Sequence, residues 1–557
     1  MDVVLVGLPG SGKSAVGRRL AHRHGATFID LDERIEKAAG IPIAEIFAER
    51  GEAAFRAFER QAVVDLGPAD TGSDIHTVIA TGGGAVVDPR NRWTLYRERV
   101  PVWLDVRPEV LAQRLRRSPT VRPLIGGRDP MGTIRDLGRD RDRFYSAAHR
   151  LNGVAELATI VDRVDELVAA SAAGIGQVEP TVLLRGRSLG GDLLIGEGIA
   201  AAAVGDALRG LRARRAILVS EPGAWAAAGE AIGSALADDG WPVERVLLPQ
   251  GEAAKRLTVI EEAAAQLARL RVERGEPLVA IGGGALGDAA GFLAASWLRG
   301  VPYIQVPTTL VAQIDSSIGG KTGVDLAAGK NLLGAFHPPA AVVVDITFVR
   351  SLPERQRRAA LGEAVKMAAL GDERLFALLE ADGEAIAGGE ETAFSDGAVA
   401  ELVERAAWAK VAVVDGDERE QGAADGRITL NLGHSLGHAF EAAGGFSELL
   451  HGEAVAHGLR GAVRIGRELG VTPVARGDRI ERLLTRLGLA TGLLPYPLSP
   501  VLDALAADKK HAGGALRWVL PTADGSVVRS DVPAEIVERA AASLLVGGAS
   551  RAGDAAP

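Results

Sequence analysis

The segment GLPGSGKS at residues 7–14 constrains this chain more than any other stretch. It follows the apolar run VVLV and precedes an apolar-periodic helical pattern over 14–24, so it reads as strand, loop, helix. In that setting the loop N–H groups and the helix N-terminus form a cradle for phosphate. Lys13 then reaches the outer phosphates and Ser14 holds Mg²⁺, with Gly10, Gly12 and Ala15 completing the nucleotide loop. A nucleoside triphosphate is implied, and with it a parallel sheet. Short β-branched runs (VVLVG, TVIAT, VPVWLDV) do alternate with helical patterns at 14–24, 32–39 and 109–117 as far as residue 168.

At 557 residues the chain exceeds one ordinary domain, and about three compact units are expected. The first is residues 1–168; AASAAGIGQVEP at 169–180 is small, polar and Pro-terminated, as a linker is. Alternation resumes over 181–350 (RRAILVS, VERVLLP, LVAIGGG, YIQVPTT, AVVVD), and beyond Leu352-Pro353 long Ala/Leu/Glu-rich helices run through 351–545. Residues 546–557 read as a disordered tail. The predicted fold class is α/β: a P-loop domain with a parallel sheet, a second α/β domain, and an all-helical domain. Composition is 47% hydrophobic and 24% charged, no apolar stretch suffices to span a bilayer, and MDVVLVG lacks a basic leader or signal-peptide pattern. A cytoplasmic enzyme of small metabolites is expected. The net charge of −9 argues against nucleic acid or an anionic membrane as partner. With no cysteine, a metal must sit on His, Asp or Glu. Only nine of the 63 basic residues are Lys (13, 37, 255, 321, 330, 366, 410, 509 and 510), so a compact ammonium is used selectively, and all but Lys37 fall within the motifs below. The Gly triplets at 81–86 and 281–286 share no flanking sequence and are independent turns.

In the first domain FIDLD at 28–32 ends a strand with Asp30 and Asp32. Facing the P-loop, such a pair orders Mg²⁺ through water and orients an acceptor hydroxyl; it serves equally as a helix cap. GEAAFRAFE at 51–59, TGGGAV at 81–86, VRPL at 121–124 and RDRFY at 141–145 follow. This series, in this order, resembles shikimate kinase over residues 1–168. The resemblance implies ATP as donor and places shikimate on Asp32, Arg56, Gly83, Gly84 and Arg141. It implies that Asp30 orders Mg²⁺, and that Arg122 closes over ATP in a lid and acts with Lys13 and Asp32 in catalysis. Arg residues suit a carboxylate, and Asp32 suits hydroxyl hydrogens. A gluconate or adenylate kinase is the rival, against which FR-x-x-E and TGGGA stand.

In the second part LVAIGGGALGD at 278–288 contains Gly282, Gly284 and Gly287, a literal G-x-G-x-x-G. The acid expected some way downstream for a ribose is missing from VPTTLVAQ, which argues against a generic dinucleotide domain. Residues 315–334 place Asp315, Lys321, Lys330 and Asn331 in a loop-rich stretch, and LGEAVK puts Glu363 and Lys366 on one helical face. NLGHSLGHAFE carries His434 and His438 at i,i+4, and LHGE adds His451. A helical His pair, a third His and an upstream Glu make a plausible divalent-metal set, in which spacing alone selects His434 with His438.

These segments together resemble 3-dehydroquinate synthase across 181–545. The resemblance implies an NAD-binding α/β domain, a helical metal domain, and zinc or cobalt on Glu363, His434 and His451, with His438 in a substrate or proton-transfer role. It implies a substrate pocket of Asp315, Lys321, Asn331, Lys366, Lys410, Arg427 and Asn431, with Lys509 and Lys510 at its phosphate end and Arg299 lent by a neighbouring subunit. Asp315, Lys321, Lys366 and His438 are its expected catalytic groups. NAD is implied at Glu252, Lys255, Gly283, Gly284, Asp288, Thr308 and Thr309, with Lys321 and Lys330 nearby, and at Glu221 where the family carries Asp or Asn. The expected whole is a bifunctional homodimer. It phosphorylates shikimate and cyclises a seven-carbon keto sugar acid phosphate to dehydroquinate, NAD being regenerated at each turnover. Rivals are another sugar-phosphate cyclase, a glycerol dehydrogenase, or a silent binding module in one half.

Overall fold

The strand Asp2–Val6 is buried along its whole length and is the centre of a five-stranded parallel sheet. The order is Thr27–Asp30, Thr77–Ala80, Asp2–Val6, Val100–Asp105, His149–Asn152, with Val4 opposite Ile79 on one side and Pro101 on the other. Both faces are covered, so the strand is apolar at nearly every position. Helices Lys13–His24 and Leu157–Ala172 close one face through Val16, Leu20, Ile160, Val161 and Val164 against Val3, Leu5, Val78, Val102 and Leu104. The apolar spacing that ends at Val168 belongs to a helix continuing to Ala172, so the start of the expected linker is helical.

The computed structural model describes residues 1–117, 129–172, 181–326, 329–420, 426–511 and 516–546. Arg122, residues 173–180 of the expected linker and 547–557 of the expected tail lie outside the described residues. The helix Leu498–His511 includes Lys509 and Lys510, whose side chains are likewise outside the described set. Two compact units result: Met1–Gly186 with Leu193–Ile199, and Arg187–Asp192 with Ala200 onward.

In the second unit five strands run parallel in the order Ala341–Asp345, Tyr303–Pro307, Leu278–Gly282, Ala216–Ser220, Val243–Leu247. The helix Gly284–Ser296 starts directly after the middle strand and is packed along Leu286, Ala289, Ala290 and Leu293. The stretch expected as loop at 315–334 contains a hairpin instead, Lys321–Leu326 against Gly329–Phe336 with Lys321 opposite Phe336. Gly323 faces Gly334 across it, and a Cβ on Gly334 would strike the Thr322 carbonyl, so the glycines that mimic a loop allow the strands to close.

Beyond Pro353 the chain is helical, as the Ala/Leu pattern predicts, with Glu354–Ala369, Ala398–Gly416, His434–Ala443 and His451–Glu468 carrying the residues of interest. One exception corrects the all-helical expectation. Trp518–Pro521 and Ser526–Arg529 pair antiparallel around Asp524-Gly525, where β-branched residues flank a dipeptide that favours a tight turn. No helix among the described residues is long and apolar enough to cross a membrane.

Candidate active sites

The P-loop stands at the C-terminal end of the central strand, where Gly7, Gly10 and Gly12 have φ of 140°, 83° and 98°, a region that favours glycine. Lys13 Nζ donates to the carbonyls of Gly7 at 2.9 Å and Leu8 at 3.2 Å, which holds the ammonium over the loop. Ser14 Oγ donates to Asp30 Oδ2 at 2.6 Å, while Asp30 Oδ1 accepts the Asp32 N–H at 3.1 Å and caps the helix Leu31–Ala39. Asp30 thus caps a helix and also accepts a hydrogen bond from the Ser14 hydroxyl.

Asp32, Arg56 and Arg141 converge on the turn that contains Gly82, Gly83 and Gly84. A Cβ on Gly82 would lie 2.8 Å from Asp32 Oδ1, one on Gly83 would lie 2.7 Å from Pro9 Cδ of the P-loop, and one on Gly84 would lie 2.9 Å from Arg56 Nη1. Side chains would not fit on this triplet, because Asp32, Arg56 and the P-loop press on its backbone. Arg56 Nη1 pairs with Glu59 Oε2 at 2.7 Å, and burial raises the Glu59 carboxyl above its ordinary range in spite of that cation. Arg141 Nη1 donates to the Gly83 carbonyl at 2.7 Å, and the Tyr145 hydroxyl donates to the same oxygen. Tyr145 stacks on Trp103 with ring centroids 5.9 Å apart, a contact that no local sequence pattern announces.

In the second unit a group of residues gathers at the C-terminal ends of the parallel strands, the usual ligand edge of an open α/β sheet. A Cβ on Gly283 would lie 3.2 Å from Thr309 Cγ2 and 3.9 Å from Glu221 Oε1; one on Gly284 would lie 2.7 Å from Ser316 Oγ. Glu221 is buried and its Oε2 accepts the Gly251 N–H at 2.6 Å. Thr308 N donates to the Gly282 carbonyl at 2.9 Å, Lys330 Nζ meets Glu252 Oε1 at 3.3 Å, and Lys255 Nζ meets Asp288 Oδ2 at 2.7 Å. Asn331, expected in the substrate pocket, hydrogen-bonds Lys255 and thus stands with this group.

The third cluster is the most buried. Glu363 and Lys366, on the helix Glu354–Ala369, are each about 1% exposed with Nζ and Oε2 2.6 Å apart. Lys366 also faces Asp315 Oδ1 at 3.7 Å, and Lys410 Nζ reaches the same carboxylate at 2.8 Å and the Asp315 carbonyl at 2.6 Å. Burial disfavours every charge here, but the contacts differ. Glu363 and Asp315 hold Lys366 above the ordinary lysine value, whereas burial prevails at Lys410 and lowers it. Asp315 is kept low by Lys410 and Lys366 despite its burial.

His434 and His451 present Nε2 to Glu363 Oε1 at 3.5 and 3.1 Å, with ring centroids 5.3 Å apart. The His438 ring stands 5.3 Å from that of His434. Glycine contacts between helices make this approach possible. A Cβ on Gly362 would strike the Gly452 carbonyl, one on Gly452 the Ala359 carbonyl, and one on Gly458 the Gly433 carbonyl. The three helices touch through backbone, which brings Glu363, His434 and His451 to one point. Both Glu363 carboxylate oxygens are buried without a well-directed hydrogen bond, and the three donor atoms lie within 4.8 Å of one another. A carboxylate and two imidazoles so placed form a donor set that a divalent cation satisfies. Burial lowers His434 to about 3; at His451 burial is outweighed by Glu363 and Glu441, which raise it to about 10.

Around this core Arg427 Nη1 donates to the carbonyls of Gly319 at 3.0 Å and Glu418 at 2.7 Å. Lys321 Nζ pairs with Glu420 Oε2 at 2.5 Å, and Asn431 Nδ2 donates to Glu420 Oε1 at 3.4 Å. Glu420, unmarked in the sequence, thus joins two of the expected pocket residues. Arg299 lies exposed on the turn Trp297–Arg299 and makes none of these contacts among the described residues.

Fold and sites together define a P-loop phosphotransferase joined to a dinucleotide- and metal-using enzyme of the open α/β kind. Residues 9–169 match the shikimate kinase family, 245–359 the 3-dehydroquinate synthase N-terminal family and 360–511 its C-terminal family. Over 322 residues the chain is 44% identical to a 3-dehydroquinate synthase of Symbiobacterium thermophilum, spanning 57% of this chain and 86% of the relative. A 3-dehydroquinate synthase of Roseobacter denitrificans is 41% identical over 62% of this chain and 93% of its own. A solved 2-epi-5-epi-valiolone synthase from Streptomyces hygroscopicus subsp. jinggangensis, with NAD⁺ and Zn²⁺ bound, is 30% identical over 64% of this chain and 97% of its own, with a TM-score of 0.58. The chain belongs to the 3-dehydroquinate synthase family and carries a shikimate kinase domain ahead of it, which makes it a bifunctional shikimate-pathway enzyme.

Proposed function

We propose that the chain transfers the γ-phosphoryl group of ATP to the 3-hydroxyl of shikimate, and cyclises 3-deoxy-D-arabino-heptulosonate 7-phosphate to 3-dehydroquinate with release of phosphate. The kinase occupies residues 1–168, followed by the linker 169–180, an NAD-binding domain at 181–350, a helical metal and substrate domain at 351–545 and a terminal tail at 546–557. The observation that carries the synthase assignment is the buried group of Asp315, Glu363, Lys366 and Lys410 beside two imidazoles. Such a density of enclosed cations suits a substrate that bears both carboxylate and phosphate, and exceeds what a simple alcohol dehydrogenase requires.

In the kinase, Gly10, Gly12, Lys13, Ser14 and Ala15 hold ATP and its Mg²⁺, with Asp30 beside Ser14. Asp32 accepts hydrogen from the attacking hydroxyl, Arg56 and Arg141 pair with the shikimate carboxylate against Gly83 and Gly84, and Arg122 covers the phosphoryl group. In the synthase, Glu363, His434 and His451 hold a zinc or cobalt ion. Glu221, Glu252, Lys255, Gly283, Gly284, Asp288, Thr308 and Thr309, with Lys321 and Lys330, surround NAD. When bound, the nucleotide accepts and returns a hydride and the ion polarises the reacting oxygen. Lys321, Lys366, Lys410, Arg427, Asn431, Lys509 and Lys510 bind and orient the anionic ends of the substrate. Asp315 lies between the Nζ atoms of Lys366 and Lys410, which keep its carboxyl low, and His438 exchanges a proton at the reacting carbons. Asn331 bridges to Lys255 from the edge of the pocket. A homodimer in the cytoplasm, Arg299 reaching the partner's site, completes the reading; neither nucleic acid nor membrane takes part.

The test is turnover of both substrates by the full-length chain: phosphate release from the heptulosonate phosphate with NAD and zinc, and phosphorylation of shikimate with Mg-ATP. Lys13→Ala should abolish only the second activity and His434→Ala only the first. A chain that phosphorylates shikimate yet leaves the heptulosonate phosphate untouched would return the synthase half to the other cyclases.

A further inference from the structure

His451 faces carboxylates on two sides. Its Nε2 lies 3.1 Å from Glu363 Oε1, and its Nδ1 lies 3.5 Å from Oε2 of Glu441, at the outer limit of a hydrogen bond. Glu441 sits two helical turns beyond His434 on the helix His434–Ala443 and is only 7% exposed. His434 shows the same arrangement with a neutral partner: Nε2 turns to Glu363 at 3.5 Å, and Nδ1 donates to the Leu432 carbonyl at 3.3 Å. Each ring therefore has an oxygen behind Nδ1 and the Glu363 carboxylate in front of Nε2. An imidazole that donates through one nitrogen is fixed in the tautomer whose other nitrogen carries the lone pair.

We infer that Glu441 is a positioning residue: it holds His451 by Nδ1–H and so presents Nε2, in the correct tautomer and orientation, to the divalent ion. The inference rests on the proposed Glu363–His434–His451 site and deepens it, since Glu441 has no role in the residue set proposed above. A competing arrangement is geometrically available, because His438, Glu441 and His451 also bring donor atoms within 4.8 Å of one another. The two are exclusive, for Nδ1 of His451 cannot donate to Glu441 and ligate a second ion at once. Burial favours the hydrogen-bonded reading: Glu441 is enclosed, whereas the His438 ring that a second ion would need is exposed. A carboxylate behind the ring also makes His451 a stronger donor than the carbonyl behind His434 does, so the two imidazoles contribute unequally to the ion.

The test titrates Zn²⁺ into the metal-free full-length chain in competition with a chromophoric chelator, and records the visible absorption of the Co²⁺ form. Wild type should bind one ion per chain. Glu441→Gln should weaken zinc binding by about 10- to 100-fold and shift the Co²⁺ bands. Glu441→Asp, which keeps the charge on a shorter arm, should regain part of the affinity. NAD binding, read by quenching of tryptophan fluorescence, should be unchanged in both variants, as a folded second unit requires. Wild-type zinc affinity and Co²⁺ spectrum in Glu441→Gln would make Glu441 purely structural and overturn the inference. So would two ions per wild-type chain falling to one in Glu441→Gln, which would make Glu441 a ligand of a second ion. His434→Ala separates the levels: retained wild-type affinity there removes the proposed metal site itself, whatever Glu441 does.

Discussion

His457 sits on the helix His451–Glu468, 6% exposed, with Nδ1 unpartnered among the described residues and the Phe440 ring 6.3 Å away. Burial, reinforced by Arg460, lowers its pKa from 6.5 to about 4. The ring is therefore neutral in the fold and readily protonated once the chain unfolds. A group whose folded pKa is depressed supports the fold above its ordinary pKa and withdraws that support as pH falls toward the folded value. Between pH 7.5 and 5.0 the wild type should lose about 2 kcal/mol of stability more than His457→Leu does. Urea unfolding of both proteins at the two pH values measures this, and the metal-site imidazoles, common to both, cancel in the difference. Equal losses would mean that His457 is protonated in the fold. The residues of the catalytic clusters were legible to very different degrees. Lys366 and Glu363 share a helical face, so i,i+3 spacing announces their contact. Spacing also pairs His434 with His438, whereas the fold turns His434 and His451 together toward Glu363 across three helices. Glu420 carries no local signal, because tertiary packing places it; Glu441 shares a helical face with His434 and His438, but its approach to His451 is set by packing between helices.

Among the elements, the helices Glu354–Ala369, His434–Ala443 and His451–Glu468 meet through Gly362, Gly433, Gly452 and Gly458. These glycines lie within or beside the segments that carry Glu363, His434 and His451, and in the fold they are spacers that let backbones touch. A Cβ at Gly458 would meet the Gly433 carbonyl, one residue from His434. Gly458→Ala should therefore cost about 1–3 kcal/mol by overpacking, although alanine is the better helix former. By moving His434 off Glu363 it should lower phosphate release from the heptulosonate phosphate on the order of 100-fold. Shikimate phosphorylation should keep its wild-type rate. A melting temperature and two rates all at wild-type values would show that the helices have slack here. In the P-loop unit the strands Asp2–Val6, Thr77–Ala80 and Val100–Asp105 were readable from their β-branched residues, whereas His149–Asn152, with none, was not. The hairpin of Lys321–Leu326 and Gly329–Phe336 was not, since its glycines break the period-two pattern that marks a strand.

For the whole molecule, the two reactions set a limit on what the fusion achieves. The synthase product, dehydroquinate, must lose water to give an enone and then have its ketone reduced before it becomes the shikimate that the kinase accepts. Neither step belongs to the two activities of this chain, the kinase and the synthase. Carried out by separate enzymes, the two steps require each intermediate to leave the chain and come back as free shikimate. Labelled heptulosonate phosphate, supplied with the dehydrating and reducing enzymes, NADPH and an excess of unlabelled shikimate, should yield shikimate 3-phosphate diluted to the specific activity of the free pool. The kinase variant Lys13→Ala mixed with the synthase variant His434→Ala should give the same dilution as the wild-type chain, because proximity offers no advantage to a molecule that has equilibrated with solvent. Label retained above the pool value in the wild type alone would mean that the intervening enzymes assemble on this chain. The fusion would then serve as a scaffold for a multienzyme complex rather than as a means of making two enzymes in equal number.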